Sequence, residues 1–193
     1  MKDSKKLLNL AREIKRCKKC RLWKTRKNTV PGEGPINAKI LFIGQAPGNE
    51  EDKIGRPFIG RAGKLLTELL DSANINRQEV FITSILKCFP PKNRKPKKDE
   101  IEACSPYLKK QIEIINPKLI VLLGEVAKNT LIGLNRNLKD LRGKNLKDLH
   151  GKIVKKYGRT FFVTYHPAAG IRFQKFKRKL FSDFKKLKRL VRI

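Results

Sequence analysis

The sequence predicts an α/β fold in which helices cover both faces of a short, mostly parallel, four-stranded sheet. Three observations support it: four short apolar runs, amphipathic segments that alternate with those runs, and a length of 193 residues, which suits one domain. Hydrophobic residues make up 39% of the chain, which is enough to bury one core. We therefore expect a single domain over residues 1–193.

The four apolar runs are short and nearly continuous, as is typical of strands that are buried on both faces. They cover Ala38 to Gly44, Val80 to Leu86, Leu119 to Gly124 and Thr160 to Tyr165. Between them, apolar residues at spacings of three and four predict helices over Arg61 to Ala73 and Asp99 to Ile115. The same spacing from Phe173 to Val191 predicts a last helix with one apolar and one basic face.

The chain is strongly basic, with 47 Lys or Arg residues against 17 Asp or Glu residues and a formal net charge of +30. This surplus exceeds what solubility needs, so we expect an anionic polymer as partner: nucleic acid first, an acidic membrane surface second. The basic residues concentrate in Met1 to Lys27, Lys92 to Lys98 and Ile171 to Ile193. Only the fold decides whether these segments meet on one surface.

Several function classes are disfavoured by the same sequence. No apolar run approaches the ~20 residues that a membrane span needs, and the start of the chain lacks the apolar core of a secretory signal. We therefore expect a cytoplasmic protein without membrane association, and a monomer. The heavy use of lysine favours a thermophilic source.

The ends of the predicted strands carry the residues of a candidate site, because ligands of open α/β sheets bind at the carboxyl ends of the strands. Gly44 to Gly48 follows the first strand, Ser84 to Cys88 the second and Gly124-Glu125 the third. His166 follows the fourth strand, directly before a proline. At this point His166 is equally well explained as a helix cap and as a functional group.

The four cysteines, Cys17, Cys20, Cys88 and Cys104, form one C-x2-C pair and one C-x15-C pair that are 67 residues apart. A lysine-rich chain without a secretory signal favours a reducing compartment and argues against disulfides. The C-x2-C pair precedes every predicted strand, unlike a redox motif inside a βαβ unit. We expect all four thiolates to bind one metal site, with an iron–sulfur cluster only slightly favoured over zinc.

An ordered set of motifs extends along the chain: Cys17-Lys18-Lys19-Cys20, Pro31 to Gly34, Gly44 to Asp52, Gly55 to Gly63, Lys87 to Arg94, Cys104 and His166 to Ala169. With this set, the chain resembles the family 4 uracil-DNA glycosylases, the thermostable type with a [4Fe-4S] cluster. The resemblance extends from about Leu7 to Leu187. This family has a three-layer α/β/α sandwich fold, so the resemblance implies that fold here. It also implies a [4Fe-4S] cluster on the four cysteines.

The resemblance further implies a role for individual residues in flipping and excising uracil from DNA. Gly44, Gln45 and Ala46 would form one wall of the base pocket, Phe58 would stack on the flipped base, and His166 would face uracil O2. Ile171 and Arg172 would fill or brace the gap that the flipped base leaves in the duplex. Hydrolysis of the N-glycosidic bond would leave an abasic site, without cleavage of the backbone.

Two positions depart from the family pattern. Gln45 stands where relatives usually carry Glu, and Ser84 stands where they carry an Asn that reads the Watson–Crick edge of uracil. Ser offers a single rotating hydroxyl where Asn offers a fixed donor and acceptor. Two alternatives to uracil excision therefore stay open: a glycosylase for another deaminated base, such as hypoxanthine, and an iron–sulfur protein that binds nucleic acid with little or no catalysis.

Overall fold

The computed structural model describes residues 2–133 and 145–191, which form a sheet flanked by helices. The strands are β1 Ile40–Gly44, β2 Phe81–Ser84, β3 Leu119–Leu123, β4 Lys152–Lys156 and β5 Arg159–Thr164. The helices are α1 Lys2–Lys15, α2 Asn49–Ile54, α3 Arg61–Ser72, α4 Lys98–Ile115, α5 Glu125–Leu131, α6 Leu146–Leu149, α7 Pro167–Arg172 and α8 Gln174–Val191. Short 3₁₀ helices lie at Arg21–Lys24, Arg77–Glu79 and Pro91–Asn93. No helix in these ranges is long and apolar enough to cross a bilayer.

The sheet has the strand order β2-β1-β3-β5-β4, and all neighbouring pairs are parallel except β4 with β5. Every residue of β1, β2 and β3 is buried, which explains why these strands appear in the sequence as continuous apolar runs. The outer side of β2 is closed by Glu33, whose backbone exchanges two hydrogen bonds with that of Ile82. The predicted mostly parallel α/β sheet is confirmed.

Helices cover both faces of this sheet, and each face has its own apolar core. In β1, Leu41 and Ile43 pack into the core that includes α1 and α4, whereas Ile40 and Phe42 pack into the core that includes α3 and α8. This alternation follows from the opposite directions of successive side chains along a strand. The arrangement is the expected three-layer α/β/α sandwich.

Two sequence-based expectations differ from the structure. The sheet has five strands instead of four, because β4 is an edge strand in which only Val154 and Lys156 are buried, so its sequence contains no continuous apolar run. The predicted last helix is interrupted at Phe173, which has extended backbone angles and separates α7 from α8. Two of the basic segments also extend outside the described residues, at Met1 and at residues 192–193.

Candidate active site and cysteine site

A cleft of about 960 Å³ opens where the carboxyl ends of the parallel strands meet. Most of the residues that the sequence predicted for a substrate site line it: Gln45, Ala46, Phe58, Ser84 and His166. They come from the segments after β1, before α3, at the end of β2 and after β5. The fold therefore brings together residues that are up to 121 positions apart in the chain.

Gly44 lies beneath this cleft, next to Ser84 in the pairing of β1 with β2. A Cβ atom on Gly44 would lie 2.6 Å from the ring of Phe58 and 3.3 Å from Ser84 Oγ. The first distance is too short for any real side chain. Glycine at this position therefore allows the Phe58 ring to rest directly on the end of the strand.

Phe58 is held in an unusual backbone conformation, with φ of 50° in the left-handed region that disfavours residues other than glycine. The guanidinium of Arg77 donates hydrogen bonds to the carbonyls of Pro57 (3.0 Å) and Phe58 (3.1 Å) and compensates for this strain. The Phe58 ring stacks on the ring of His166, with a centroid distance of 5.6 Å and an interplanar angle of 29°. The two aromatic groups thus form one surface of the cleft.

His166 caps the N-terminus of α7 and also lines the cleft, so both explanations of this residue hold. Its Nδ1 accepts a hydrogen bond from the backbone N–H of Ala168 at 3.1 Å. Burial lowers the pKa of His166 to about 4, although the nearby Glu51 carboxylate acts in the opposite direction. The ring is therefore neutral near pH 7, and because Nδ1 is the acceptor, its proton resides on Nε2 as a hydrogen-bond donor.

Glu51 organises the wall that carries Phe58, and sequence analysis did not single it out. Its buried carboxylate accepts hydrogen bonds from the backbone N–H groups of Gly48 (3.0 Å), Ile59 (2.9 Å) and Gly60 (2.8 Å). It thereby ties the loop after β1 to the loop that carries Phe58. The Gly-x-x-Glu spacing of a capping box at the start of α2 is the available sequence signal, and it is weak because glycine has no capping side chain.

Basic side chains surround the mouth of the cleft. Arg61, Lys95 and Arg172 line it from three separate segments, and none of them takes part in an ion pair within the described residues. Lys95 belongs to the second predicted basic segment and Arg172 to the third. At least two of the three basic segments therefore meet at the cleft, as one surface for a polyanion requires.

The four cysteines line a second, narrow cavity, which we call the cysteine site. Cys17 and Cys20 follow α1 and are partly exposed, whereas Cys88 follows β2 and Cys104 lies in α4, and these two are buried. The fold thus unites both cysteine pairs, as expected for one shared site. Within the described ranges, no group of three or more His, Cys, Asp or Glu side chains has an arrangement that could hold a metal ion.

Hydrogen-bond donors surround the sulfur atoms of the cysteine site. The backbone N–H of Lys19 donates to Cys17 Sγ (3.5 Å), that of Lys87 donates to Cys104 Sγ (3.3 Å), and Arg26 Nη1 donates to Cys88 Sγ (3.2 Å). Such donors stabilise sulfur that carries negative charge.

Three thiols of this site resist ionisation on their own. Burial raises the pKa of Cys104 to about 11 and also raises the pKa values of Cys20 and Cys88 above the usual range. Near pH 7 these three thiols are therefore protonated. They become thiolates only in the presence of a strong positive charge, such as that of a bound metal.

Comparison with known proteins identifies the family of this chain. The family model described as the Uracil DNA glycosylase superfamily matches residues 31–187. The chain is 46% identical over 181 residues to the type-4 uracil-DNA glycosylase of Saccharolobus solfataricus, a match that covers 93% of this chain and 83% of that protein. The type-4 enzyme of Archaeoglobus fulgidus is 44% identical over 183 residues, with 93% and 90% covered.

The similarity extends to bacteria. The type-4 uracil-DNA glycosylase of Thermotoga maritima is 40% identical to this chain over 186 residues, a match that covers 95% of this chain and 93% of that protein. The matched length includes both the cleft and the cysteine site, so the similarity is not confined to one of the two sites. The chain belongs to the type-4 uracil-DNA glycosylases, within the uracil DNA glycosylase superfamily.

Proposed function

We propose that this protein is a monofunctional DNA glycosylase that flips uracil out of DNA and hydrolyses its N-glycosidic bond. The observation that carries this proposal is the neutral His166, whose Nδ1 is occupied by Ala168 and whose ring lines the cleft beside Phe58. An imidazole in this state offers one fixed N–H donor. The base must leave the duplex to reach it, because the bond to be broken is inaccessible inside the stack.

In the proposed reaction, the bond between uracil N1 and the sugar C1′ breaks and its electron pair leaves with the base. Water forms the new bond to C1′ and loses a proton to solvent, and the uracil anion takes up a proton from solvent at N1, so the products are free uracil and an abasic site. The Nε2–H of His166 donates a hydrogen bond to O2, where the negative charge of the leaving base gathers. A donor of this kind is typically worth about 3–4 kcal/mol of barrier.

We assign different roles to the polar residues of the cleft. Gln45 and Ser84 line it and are proposed to contact the base and the reacting sugar. Both oxygens of Glu51 already accept backbone hydrogen bonds, so we assign this carboxylate to holding the wall and not to accepting a proton. Phe58 is proposed to stack on the flipped base, a contact worth about 1–3 kcal/mol.

The duplex is proposed to lie across the basic mouth of the cleft, with Arg61, Lys95 and Arg172 on its phosphates. Ile171 also lines the cleft, but it is half-buried against the core that includes α3 and α8, so less of its side chain is available to enter the duplex. Phe173 is 55% exposed and lines the same mouth. We propose that Phe173 enters the base stack, as apolar side chains of other DNA-bending proteins do.

The cofactor is proposed to be a [4Fe-4S] cluster held by Cys17, Cys20, Cys88 and Cys104. Two features support it: all four cysteines line one cavity, and the sulfurs of three of them accept hydrogen bonds. When bound, the cluster supplies the positive charge that keeps the sulfurs ionised. Its proposed role is structural, because the cysteines join α1, the segment after β2 and α4 without lining the cleft.

The test is alkali-dependent cleavage of a duplex that carries one uracil, with matched duplexes that carry hypoxanthine, xanthine or a mismatch. We expect cleavage at uracil only after alkali, together with release of free uracil. Cleavage without alkali would contradict a monofunctional enzyme, and cleavage at hypoxanthine alone would show that the protein acts on another base. Ser84→Asn separates these cases further: it should raise uracil excision if uracil is the substrate and lower excision of any other preferred base.

A further inference from the structure

Lys87 occupies a buried position between the cleft and the cysteine site. Its side chain is among the largest fully buried ones, with 1% of the residue exposed. The ammonium donates hydrogen bonds to the hydroxyl of Thr83, to the carbonyl of Ser84 (2.8 Å) and to Gln111 Oε1 (2.7 Å). An ammonium has three protons, so these three acceptors use all of them.

All three acceptors of this buried cation are neutral. No salt bridge of Lys87 to a carboxylate occurs within residues 2–133 and 145–191. Moving an ammonium out of water costs several kcal/mol, and neutral acceptors offset this cost less well than a carboxylate does. An apolar side chain of similar length would fill the same space without that cost. Lys87 also lines the cysteine site, where an ionised Cys104 would stabilise the ammonium. The presence of lysine here therefore indicates a role connected with the two neighbouring sites and not with packing alone.

The hydrogen bonds continue beyond Lys87 to a third part of the chain. The Thr83 hydroxyl donates to the carbonyl of Pro31 at 2.9 Å, and Gln111 Nε2 donates to the same carbonyl at 2.8 Å. The network thus joins the end of β2, the middle of α4 and the segment that precedes Gly32. Every buried polar side-chain atom in the described residues has a partner, so the network is complete as it stands.

The main chain around Lys87 connects the two sites directly. On one side, the backbone N–H groups of Ile85 and Leu86 donate to the carbonyls of Gly44 (3.0 Å) and Gln45 (3.1 Å) in the wall of the cleft. On the other side, the backbone N–H of Lys87 donates to Cys104 Sγ. The five residues from Ser84 to Cys88 therefore hold the cleft with one end and the cysteine site with the other.

We infer that Lys87 is a positioning residue for the base: through the Ser84 carbonyl, its ammonium fixes Ser84 and the attached Gln45 loop relative to the cysteine site. Lys87 does not line the cleft, so it acts through these residues and not on the substrate. The inference rests on the proposed function, because the rate that tests it is the rate of uracil release. If the inference holds, loss of the ammonium slows excision without lowering the affinity for DNA, because the basic mouth of the cleft is unchanged.

The test compares iron-loaded, anaerobically prepared wild type with Lys87→Met and Lys87→Arg. Lys156→Met is the matched control, because Lys156 is also buried and donates to a backbone carbonyl, that of Ile132, but lies at the opposite end of the sheet from the cleft. The measurements are the single-turnover rate of uracil release, the Kd for the duplex, the iron content and the melting temperature.

We expect Lys87→Met to lower the single-turnover rate by roughly 10- to 100-fold, as a misplaced group does, with Kd changed by less than about twofold and iron retained. Lys87→Arg should recover part of the rate, because it retains a cationic donor. Lys156→Met should destabilise the protein without lowering the rate. A wild-type rate in Lys87→Met would overturn the inference. So would a loss explained wholly by lost iron, because Lys87 would then serve the cysteine site alone.

A readout without catalysis keeps the inference separate from the proposed function. Amide hydrogen exchange of Ile85 and Leu86 reports the hydrogen bonds to Gly44 and Gln45 directly. In Lys87→Met these amides should exchange faster, and in Lys156→Met they should not. If wild type fails to release uracil, the proposed function fails, whereas unchanged exchange in Lys87→Met would refute the positioning role in either case.

Discussion

The cleft and the cysteine site share the Ser84–Cys88 segment, yet they are assembled in different ways. The cysteine site consists of four identical side chains, two of them buried, whose chemistry is evident from residue type alone. The cleft depends on backbone geometry: a strained Phe58, a glycine beneath it and loops tied together by Glu51. Damage to the first should therefore affect folding, and damage to the second should affect catalysis while the fold persists.

The largest effect is expected from Cys104→Ser. It removes a buried sulfur from α4 and with it a ligand of the proposed cluster, whose binding contributes to the folding free energy. Iron analysis should show loss of most of the metal, and thermal unfolding should show a fall of roughly ten degrees or more. Cys17→Ser, at a partly exposed position, is the control and should be milder. A colourless wild type without iron would contradict the premise.

His166→Ala tests whether damage to the cleft lowers catalysis while the fold persists. Removing the Nε2–H donor should lower the single-turnover rate by roughly 10²–10³, with little change in duplex Kd or in melting temperature. Equal losses of rate and binding would show a structural role, since His166 is also the cap of α7.

The pH dependence of His166 has a defined sign. Its pKa in the folded protein is lowered to about 4 from an ordinary 6.5, so the unfolded chain takes up a proton first as the pH falls. Stability from this residue is complete above pH 6.5 and declines between pH 6.5 and 4. The excision rate should not show a histidine ionisation above about pH 5, and a rate-controlling pKa near 6.5 would contradict a neutral buried donor.

Glu51→Gln should affect both stability and catalysis, because Glu51 holds together the loops that form the cleft. The amide can accept hydrogen bonds only through its oxygen, so at least one of the three backbone N–H groups at Gly48, Ile59 and Gly60 loses its acceptor. The loss should cost about 1–3 kcal/mol of stability and should also slow excision, because the Phe58 loop loosens. Denaturant unfolding and single-turnover rates measure both. Glu102→Gln, at an exposed position of α4 that does not line the cleft, should change neither appreciably.

The smallest effect is expected from Phe173→Ala, and it should depend on the substrate. If Phe173 fills the gap in the base stack, the rate on duplex DNA should fall several-fold to about tenfold, which corresponds to the lower end of the about 1–3 kcal/mol that a stacked group contributes. The rate on single-stranded uracil DNA should not change, because no stack must be replaced. Tyr157→Ala, an equally exposed aromatic on the β4–β5 hairpin, is the control. Equal losses on both substrates would rule out this role.

The same contrast explains how much the sequence could reveal. The buried strands were predictable because apolar runs are local patterns. The union of the four cysteines was predictable because thiols of a reduced protein that occur in such a set commonly share one metal site. The edge strand β4 was missed because three of its five residues are lysines, so its sequence does not have the apolar pattern of a strand. Glu51 was missed because its one local signal, the spacing to Gly48, is weak for a glycine cap, and its other two backbone partners, Ile59 and Gly60, lie in a loop that the fold brings close.

Phe173 illustrates a different limit. Its spacing from Phe176 and Leu180 fits one helical face, so the pattern assigned it to the last helix and to the core. The structure instead gives it extended backbone angles between α7 and α8. The break in the helix places Phe173 at the mouth of the cleft. The spacing of apolar residues could not predict this position, because an exposed aromatic residue and a buried one contribute equally to an apolar pattern.

The two edges of the sheet bear on how the protein behaves at high concentration. An unpaired strand edge is a template for pairing with a second molecule and so for aggregation. Here the β2 edge is occupied in part by Glu33, and the β4 edge carries the exposed Lys152 and Lys155. If the β4 edges of two copies approached each other, the lysines of both copies would come close together. Their positive charges would then repel each other. The lysines that concealed β4 in the sequence thus also discourage self-association of the folded chain.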